Sequence, residues 1–228
     1  APGERTIREP HPHGYRREAP GGPALRSGLV AERLAATWAA RSKKLATRRE
    51  PITGVSEFPL LSEKPVVREA APERPAGGLP RVRRDEAYEA LRARSDAHLA
   101  ATGARPRIFL AALGPAAAHT ARATFASNLF QAGGVEPVHD PVSVDPDTAA
   151  AAYAASGADG MAVLCSSDAL YEEQAAAVAD ALRAAGATTV FLAGRPGTAE
   201  QAVDEYVFAG CDAVAVLSRV LDRMGVAL

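Results

Sequence analysis

From Arg107 onward, short apolar runs alternate with longer stretches in which apolar positions recur every three or four residues. The runs Arg107–Leu113, Glu136–His139, Gly160–Ser166, Thr188–Ala193 and Ala213–Leu217 read as strands. Helical patterns cover roughly Ala117–Ala132, Asp147–Ser156, Asp168–Ala185 and Thr198–Tyr206, and a last one runs from Ser218 to Met224. Glycine follows all but the last (Gly133-Gly134, Gly157, Gly186 and Gly210), as a helix stop should. Asp147 and Asp168 stand where helix N-caps belong.

Strand–helix alternation at this spacing requires right-handed crossovers, hence a parallel sheet with helices on both faces. The expected fold is α/β, a flavodoxin-like doubly wound five-stranded sheet in the order 2-1-3-4-5. Strand two, Glu136-Pro-Val-His139, is short and polar and belongs at an edge.

The chain before residue 105 reads differently. Residues 1–27 are dense in Pro, Gly, Arg and His, with no apolar period, and are expected to be poorly ordered alone. Leu29 to about Arg49 reads as a helix whose large apolar residues are Leu29, Leu34, Trp38 and Leu45; Pro51 ends it. Ile52–Phe58 is β-prone but short. Residues 59–80 carry Pro59, Pro65, Pro72, Pro75 and Pro80 and read as an extended, semi-rigid linker. Asp85 to about Ala101 is a second charged helix, with Tyr88, Leu91 and Leu99 as its apolar stripe. The expected segments are therefore 1–27, 28–58, 59–104 and the α/β domain 105–228.

Apolar residues make up 47% of the 228, enough for a core, but many are Ala and only 5% are aromatic. Lys and Arg number 26 against 27 Asp and Glu, so no general attraction to nucleic acid or an anionic membrane is expected. Cys165 and Cys211, each in or beside an apolar run that reads as a buried strand, form no CxxC or Cys/His cluster. They fit free thiols in a reducing compartment. No apolar run is long enough to span a bilayer, and Ala1-Pro-Gly-Glu-Arg5 lacks a signal-peptide core. The expectation is a cytoplasmic protein, and the missing initiator Met reads as a trimmed or fragmentary chain.

Candidate chemistry centres on the turn after the first strand, Phe109-Leu-Ala-Ala-Leu-Gly-Pro115, because ligands of open parallel sheets settle at strand carboxyl ends. With His119-Thr-Ala-Arg-Ala-Thr-Phe125 and Asn128-Leu-Phe-Gln-Ala-Gly-Gly134, this segment resembles the cobalamin-binding domain of the methylmalonyl-CoA mutase family, and in particular its small subunit. Arg48-Arg-Glu-Pro-Ile-Thr-Gly-Val-Ser-Glu-Phe-Pro59 is similar to the closing stretch of that family's (β/α)8 barrel. The likeness begins near Ser27. It implies part of an isomerase of propionate metabolism, in which adenosylcobalamin interconverts methylmalonyl-CoA and succinyl-CoA. The implied partner is the catalytic large subunit, in a heterodimer.

The departures are specific. Cofactor-binding members carry Asp-x-His-x-x-Gly, in which His coordinates cobalt, Asp holds the far ring nitrogen, and Gly lets the cofactor's tail pass. Here Ala117 stands where the Asp would be and Arg122 where the Gly would be, and His119 lies five residues past Gly114. An Arg there adds bulk and charge where the binding family needs space. Cys165-Ser-Ser-Asp168 partly resembles the family's Ser-containing tail motif, while Ala193-Gly-Arg-Pro-Gly197 keeps one Gly of a Gly-Gly pair and follows it with Arg195.

The resulting candidate cleft is degenerate: Gly114, His119, Arg122, Ser166, Ser167 and Gly194, with no catalytic residue, no metal and no cofactor held by this chain. The alternative is a working cobalamin module with His119 as the lower cobalt ligand. A flavodoxin-like signalling or nucleotide-binding module is disfavoured, because an acidic cluster and a phosphate loop are both missing. Plainer readings exist for single features. Ser166, Ser167 and Asp168 suit an N-cap cluster, and Gly194–Gly197 a simple βα turn. The basic residues at 41–49 suit a solvated helix face, or contact with an acidic partner or a CoA phosphate. His11 and His13 are too few for a metal, and Glu172-Glu173, adjacent on a helix, point apart.

Overall fold

A computed structural model describes residues 27–64, 69, 82–140, 142–197 and 199–226. The expectation for 1–27 and most of the proline-rich 59–80 stretch thus lies outside the described residues. The chain divides into two units at Ala40/Arg41. Of the first, only the leading turns of helix α1 (Leu29–Ala46) are described, and Leu29 and Leu34 there are exposed. The rest concerns the second unit.

The elements that follow are α2 (Glu86–Thr102), β1 (Arg107–Ala112), α3 (Ala116–Ala132), β2 (Glu136–His139), α4 (Ala149–Ser156), β3 (Met161–Cys165), α5 (Asp168–Ala184), β4 (Thr189–Ala193), β5 (Glu205–Val207) and α6 (Ala213–Arg223). The five strands form one parallel sheet ordered β2-β1-β3-β4-β5. This is the expected flavodoxin-like order, with the polar β2 at an edge.

Period-two side chains divide the core between the two faces of the sheet. Ile108, Leu110, Met161, Val163 and Phe191 pack with α3 and α6 residues such as Leu129, Phe130 and Leu217. Phe109, Ala111, Ala162, Leu164 and Leu192 pack with Tyr153, Tyr171, Val178 and Leu182 from α4 and α5. Helix α2 joins the first cluster through Tyr88 and Leu91. Its Arg94 donates from Nη2 to Asp222 Oδ1 and to the Val226 carbonyl, each at 2.6 Å, and so ties α2 to the end of α6.

The last third corrects the sequence reading. The fifth strand is Glu205–Val207, not Ala213–Leu217, and no helix spans Thr198–Tyr206 among the described residues. Ala213-Val-Ala-Val-Leu217 is continuously apolar, so it reads equally as strand or helix. What decides is the wider spacing. Ala213, Val216, Leu217, Val220 and Leu221 are buried, a single helical face, and Asp212 Oδ1 accepts the Ala215 N–H at 3.0 Å to start the helix. Gly210 and Cys211 consequently lie in the turn before α6, with Cys211 half-buried. The caps also shift. Asp145 accepts the N–H groups of Asp147 (3.1 Å) and Thr148 (2.9 Å), and Ser167, not Asp168, caps α5.

The placement of β5 beside α6 creates a titratable brace. Glu205 accepts Arg219 at 2.9 Å and Arg223 at 2.6 Å. Burial pushes the Glu205 carboxyl upward, but the two guanidinium groups outweigh it and leave it below its ordinary 4.5. A lowered carboxyl stabilises the fold above its ordinary value and loses that contribution as pH falls through the folded value. Both arginines are roughly half exposed, so the brace is worth about 1 kcal/mol or less per pair. The urea midpoints of wild type and Glu205→Gln should therefore differ at pH 7 and converge by pH 3. A gap that persists at pH 3 would assign the difference to packing instead.

Candidate functional site

The site begins where β1 ends. Gly114 has φ +72°, and a Cβ there would come within 2.5 Å of Leu170 Cδ1. Only glycine lets the first turn of α5 close over the β1–α3 turn. Pro115 then leads into α3 with no side chain capping it. His119 Nδ1 lies 3.2 Å from the Gly114 carbonyl. A carbonyl only accepts, so Nδ1 carries the hydrogen in this contact. His119 lines a cleft of about 670 Å³ together with Ala112, Thr124, Ser127, His139 and Asp140.

Three residues further along α3, Arg122 lines a different cleft. This one, about 380 Å³, lies at the ends of β4 and β5, beside Asp168, Gly194, Arg195 and Phe208. Arg122 Nη2 donates to Asp168 Oδ1 at 2.7 Å, and its guanidinium carbon sits 5.0 Å from the centroid of the Tyr171 ring. A charge pair and a stacked ring hold the group in one pose. Burial alone lowers the Arg122 pKa, but Asp168 and Tyr171 more than offset it and the net shift is upward. Arg122 Nη1 is buried without a protein partner among the described residues. A Cβ on Gly194 would stand 3.6 Å from that nitrogen and 2.8 Å from Leu192 Cδ2. Arg195 is drawn aside over Phe208, 5.4 Å from its ring centroid.

Beneath Arg122 the strand ends are sealed by Tyr171. Its hydroxyl accepts the Ser166 N–H at 2.8 Å and lies 2.9 Å from the Leu164 carbonyl and 3.0 Å from that of Ala193. One hydroxyl hydrogen serves one carbonyl at a time. Burial drives the phenol's acidity far down, so it stays neutral. Ser166, fully buried, donates to the Leu113 carbonyl at 2.9 Å and links the ends of β3 and β1. Ser167 Oγ accepts the Leu170 N–H at 3.4 Å.

The six candidates thus do not share one cavity. Gly114 and His119 line the larger cleft, Arg122 and Gly194 the smaller, Ser166 is buried between strand ends, and Ser167 caps a helix. Among the described residues, no group of three or more His, Cys, Asp or Glu is placed to hold a metal ion. Nor is any described helix long and apolar enough to cross a membrane.

A methylmalonyl-CoA mutase small subunit from Streptomyces virginiae is 77% identical over 204 residues, which take in 90% of this chain and 33% of that protein. The chain is homologous to methylmalonyl-CoA mutase small subunits. The small subunit of Propionibacterium freudenreichii subsp. shermanii is 37% identical over 215 residues (90% of this chain, 32% of that protein). A probable methylmalonyl-CoA mutase small subunit from Mycobacterium tuberculosis H37Rv is 43% identical over 212 residues (91% and 33%). The chain therefore spans about a third of the length of these mutase relatives. No protein-family model matches it.

Two residues of this mutase homologue escape sequence reasoning. Tyr171 reads as an ordinary helix aromatic, and its one signal is a spacing of three from Asp168, which turns both toward the strand ends. Arg48 reads as part of a solvated basic face. It lies just past the end of α1 in a left-handed conformation (φ +56°), and its side chain is only 8% exposed.

Proposed function

We propose that this chain supplies a mutase with a domain of cobalamin-binding ancestry whose cofactor site is degenerate, and that its role is structural, toward the catalytic large subunit of a heterodimer. The observation that carries this reading is the pose of Arg122, paired to Asp168, stacked on Tyr171 and standing against Gly194. The residues present do not fit a corrinoid. The carboxylate that would hold the far nitrogen of His119 in a binder is replaced by Ala117, and a backbone carbonyl takes that contact without the carboxylate's charge. The position that should be glycine is a fixed cation. The Ser166 hydroxyl, which could have met the cofactor's tail, is spent on Leu113.

In this reading the segment 28–58 corresponds to the end of a barrel, 59–104 connects it, and 105–228 is the degenerate domain. Adenosylcobalamin belongs to the large subunit of the assembled enzyme, which interconverts methylmalonyl-CoA and succinyl-CoA. No residue of this chain touches the reacting atoms, and the complex works in the cytoplasm.

The test uses the assembled complex. His119→Ala, co-purified with the catalytic subunit, should turn over methylmalonyl-CoA within twofold of wild type. A tenfold or greater loss of kcat with assembly intact would favour His119 as a working cobalt ligand. Failure of the wild-type chain to co-purify at all would remove the structural role.

A further inference from the structure

The larger cleft, beside His119, is not the one that Arg122 occupies, and the function proposed above makes no use of it. It lies at the carboxyl ends of β1 and β2, beside the first half of α3, and Leu110, Ala112 and Ala123 form its apolar lining. Its volume of about 670 Å³ is ample for a small molecule. Asp140, the residue directly after β2, belongs to its wall. Asp140 Oδ1 accepts the Val142 N–H at 2.8 Å, which fixes the carboxylate in a local turn. Its other oxygen takes no hydrogen bond from the described residues.

The wall is one-sided in its hydrogen bonding. Among the described residues that form it there is no Lys or Arg, and apart from His119 and His139 the one ionisable group is Asp140. His119 spends the hydrogen on Nδ1 on the Gly114 carbonyl, so in the neutral ring its other nitrogen is an acceptor. The Thr120 hydroxyl donates to the Ala116 carbonyl at 2.6 Å and likewise keeps only lone pairs. A ligand suited to this wall brings hydroxyl or amine donors and no negative charge to set beside Asp140. It also needs an apolar face for the leucine and alanine lining. Val142, at the rim, extends that lining and is 69% exposed.

We propose that this cleft binds a ribonucleoside, whose vicinal ribose hydroxyls donate to Asp140 and whose base lies along the apolar lining toward Val142. In dinucleotide-binding α/β units an acidic side chain near the end of the second strand, across from the first strand–helix turn, accepts the ribose hydroxyl. Asp140 holds that place in β1–α3–β2 and reaches the same cleft as the turn after β1. Recognition stops at the nucleoside. The turn Gly114-Pro-Ala-Ala-Ala118 is no glycine-rich phosphate loop, and the wall offers no Lys or Arg, so a 5′-phosphate adds nothing to binding. The site is independent of the corrinoid question, because Arg122 and Gly194 line the other cleft.

The experiment is equilibrium dialysis of the full-length small subunit against labelled adenosine, guanosine, cytidine and uridine, with thermal unfolding of each variant. At least one nucleoside should be retained, and its 2′,3′-dideoxy form should bind about tenfold more weakly, the loss expected for hydrogen bonds to a charged acceptor. Asp140→Asn keeps an oxygen for the Val142 N–H but loses the charge, and should weaken binding about tenfold at an unchanged unfolding temperature. Thr124→Trp, at an exposed position of the rim, should block the cleft. Asp147→Asn makes the same charge change in the same loop but outside the cleft, and should bind within about twofold of wild type. The 5′-monophosphate should bind no more tightly than the nucleoside. No retention of any of the four at millimolar concentration overturns the site. So does wild-type affinity in either Asp140→Asn or Thr124→Trp, or a dideoxynucleoside bound equally well. A monophosphate bound markedly more tightly would make phosphate the recognised group and overturn the assignment to ribose.

Discussion

Tyr171→Ala is expected to destabilise the chain by about 3–5 kcal/mol, the range for removing a large buried aromatic side chain. Only 1% of Tyr171 is exposed, and its ring packs in the cluster with Leu164 and Leu192. Two losses add to the cavity. The Ser166 N–H, fully buried, loses its acceptor, and the ring under Arg122 disappears. Tyr171→Phe separates these effects. It keeps the ring and the stacking but orphans Ser166, which should cost about 1–3 kcal/mol. Urea unfolding checks both, with a lower midpoint and an unchanged slope. A Tyr171→Phe midpoint equal to wild type would mean that the hydroxyl does not seal the strand ends.

The second large effect is alkaline. Burial raises the Cys165 thiol from its ordinary 9.0 to about 12, partly opposed by Arg122. Burial likewise raises the Tyr88 phenol from 10.0 to about 12. Tyr171 moves in the same direction. In the unfolded chain these groups deprotonate at their ordinary values, while in the folded chain they hold their protons. Over that window the unfolded state binds fewer protons, so stability falls as pH rises. It is fully present below pH 9. Each group then removes about 1.4 kcal/mol per pH unit until its folded value is reached. Several kcal/mol should be lost by pH 11, comparable to a small domain's entire margin. Cys165→Ala should make the first part of the decline shallower, between pH 9 and 10, where the half-buried Cys211, whose thiol burial also raises, accounts for much of the remainder. A wild-type stability that stays level to pH 11 would contradict the burial of these groups.

The centre of the sheet could be read from the sequence because β1, β3 and β4 are short apolar runs with β-branched or aromatic residues and glycines close by. Residues 213–217 show the limit of that logic. Five apolar residues in a row satisfy either period, and only the burial of Val220 and Leu221 one turn further on, with the Asp212 cap, makes the helical choice. Glu205–Val207 was invisible for a related reason. The run Tyr206-Val-Phe-Ala209 is apolar and β-prone, but it follows Ala202-Val203 so closely that the two merge into an apparent helical period.

The site was legible in its parts and not in its assembly. The anomaly at Arg122 is visible as a bulky cation where the binding pattern has glycine. Nothing in the sequence, however, pairs it with Asp168, 46 positions away, or puts Tyr171 beneath it. Nor does spacing reveal that His119 and Arg122, three residues apart on one helix, line different clefts. Arg48 was hidden for the same physical reason. Burial of a charged side chain depends on what folds over it, here Glu57 from the next loop and Phe125, remote in the chain.

The central claim is that the cleft is closed to a corrinoid, and titration of the purified chain with hydroxocobalamin, followed by its visible spectrum and by equilibrium dialysis, tests it most directly. The account predicts an unshifted spectrum and no retention of the vitamin at micromolar concentrations. Micromolar binding with a red-shifted, imidazole-ligated spectrum that disappears in His119→Ala would contradict it.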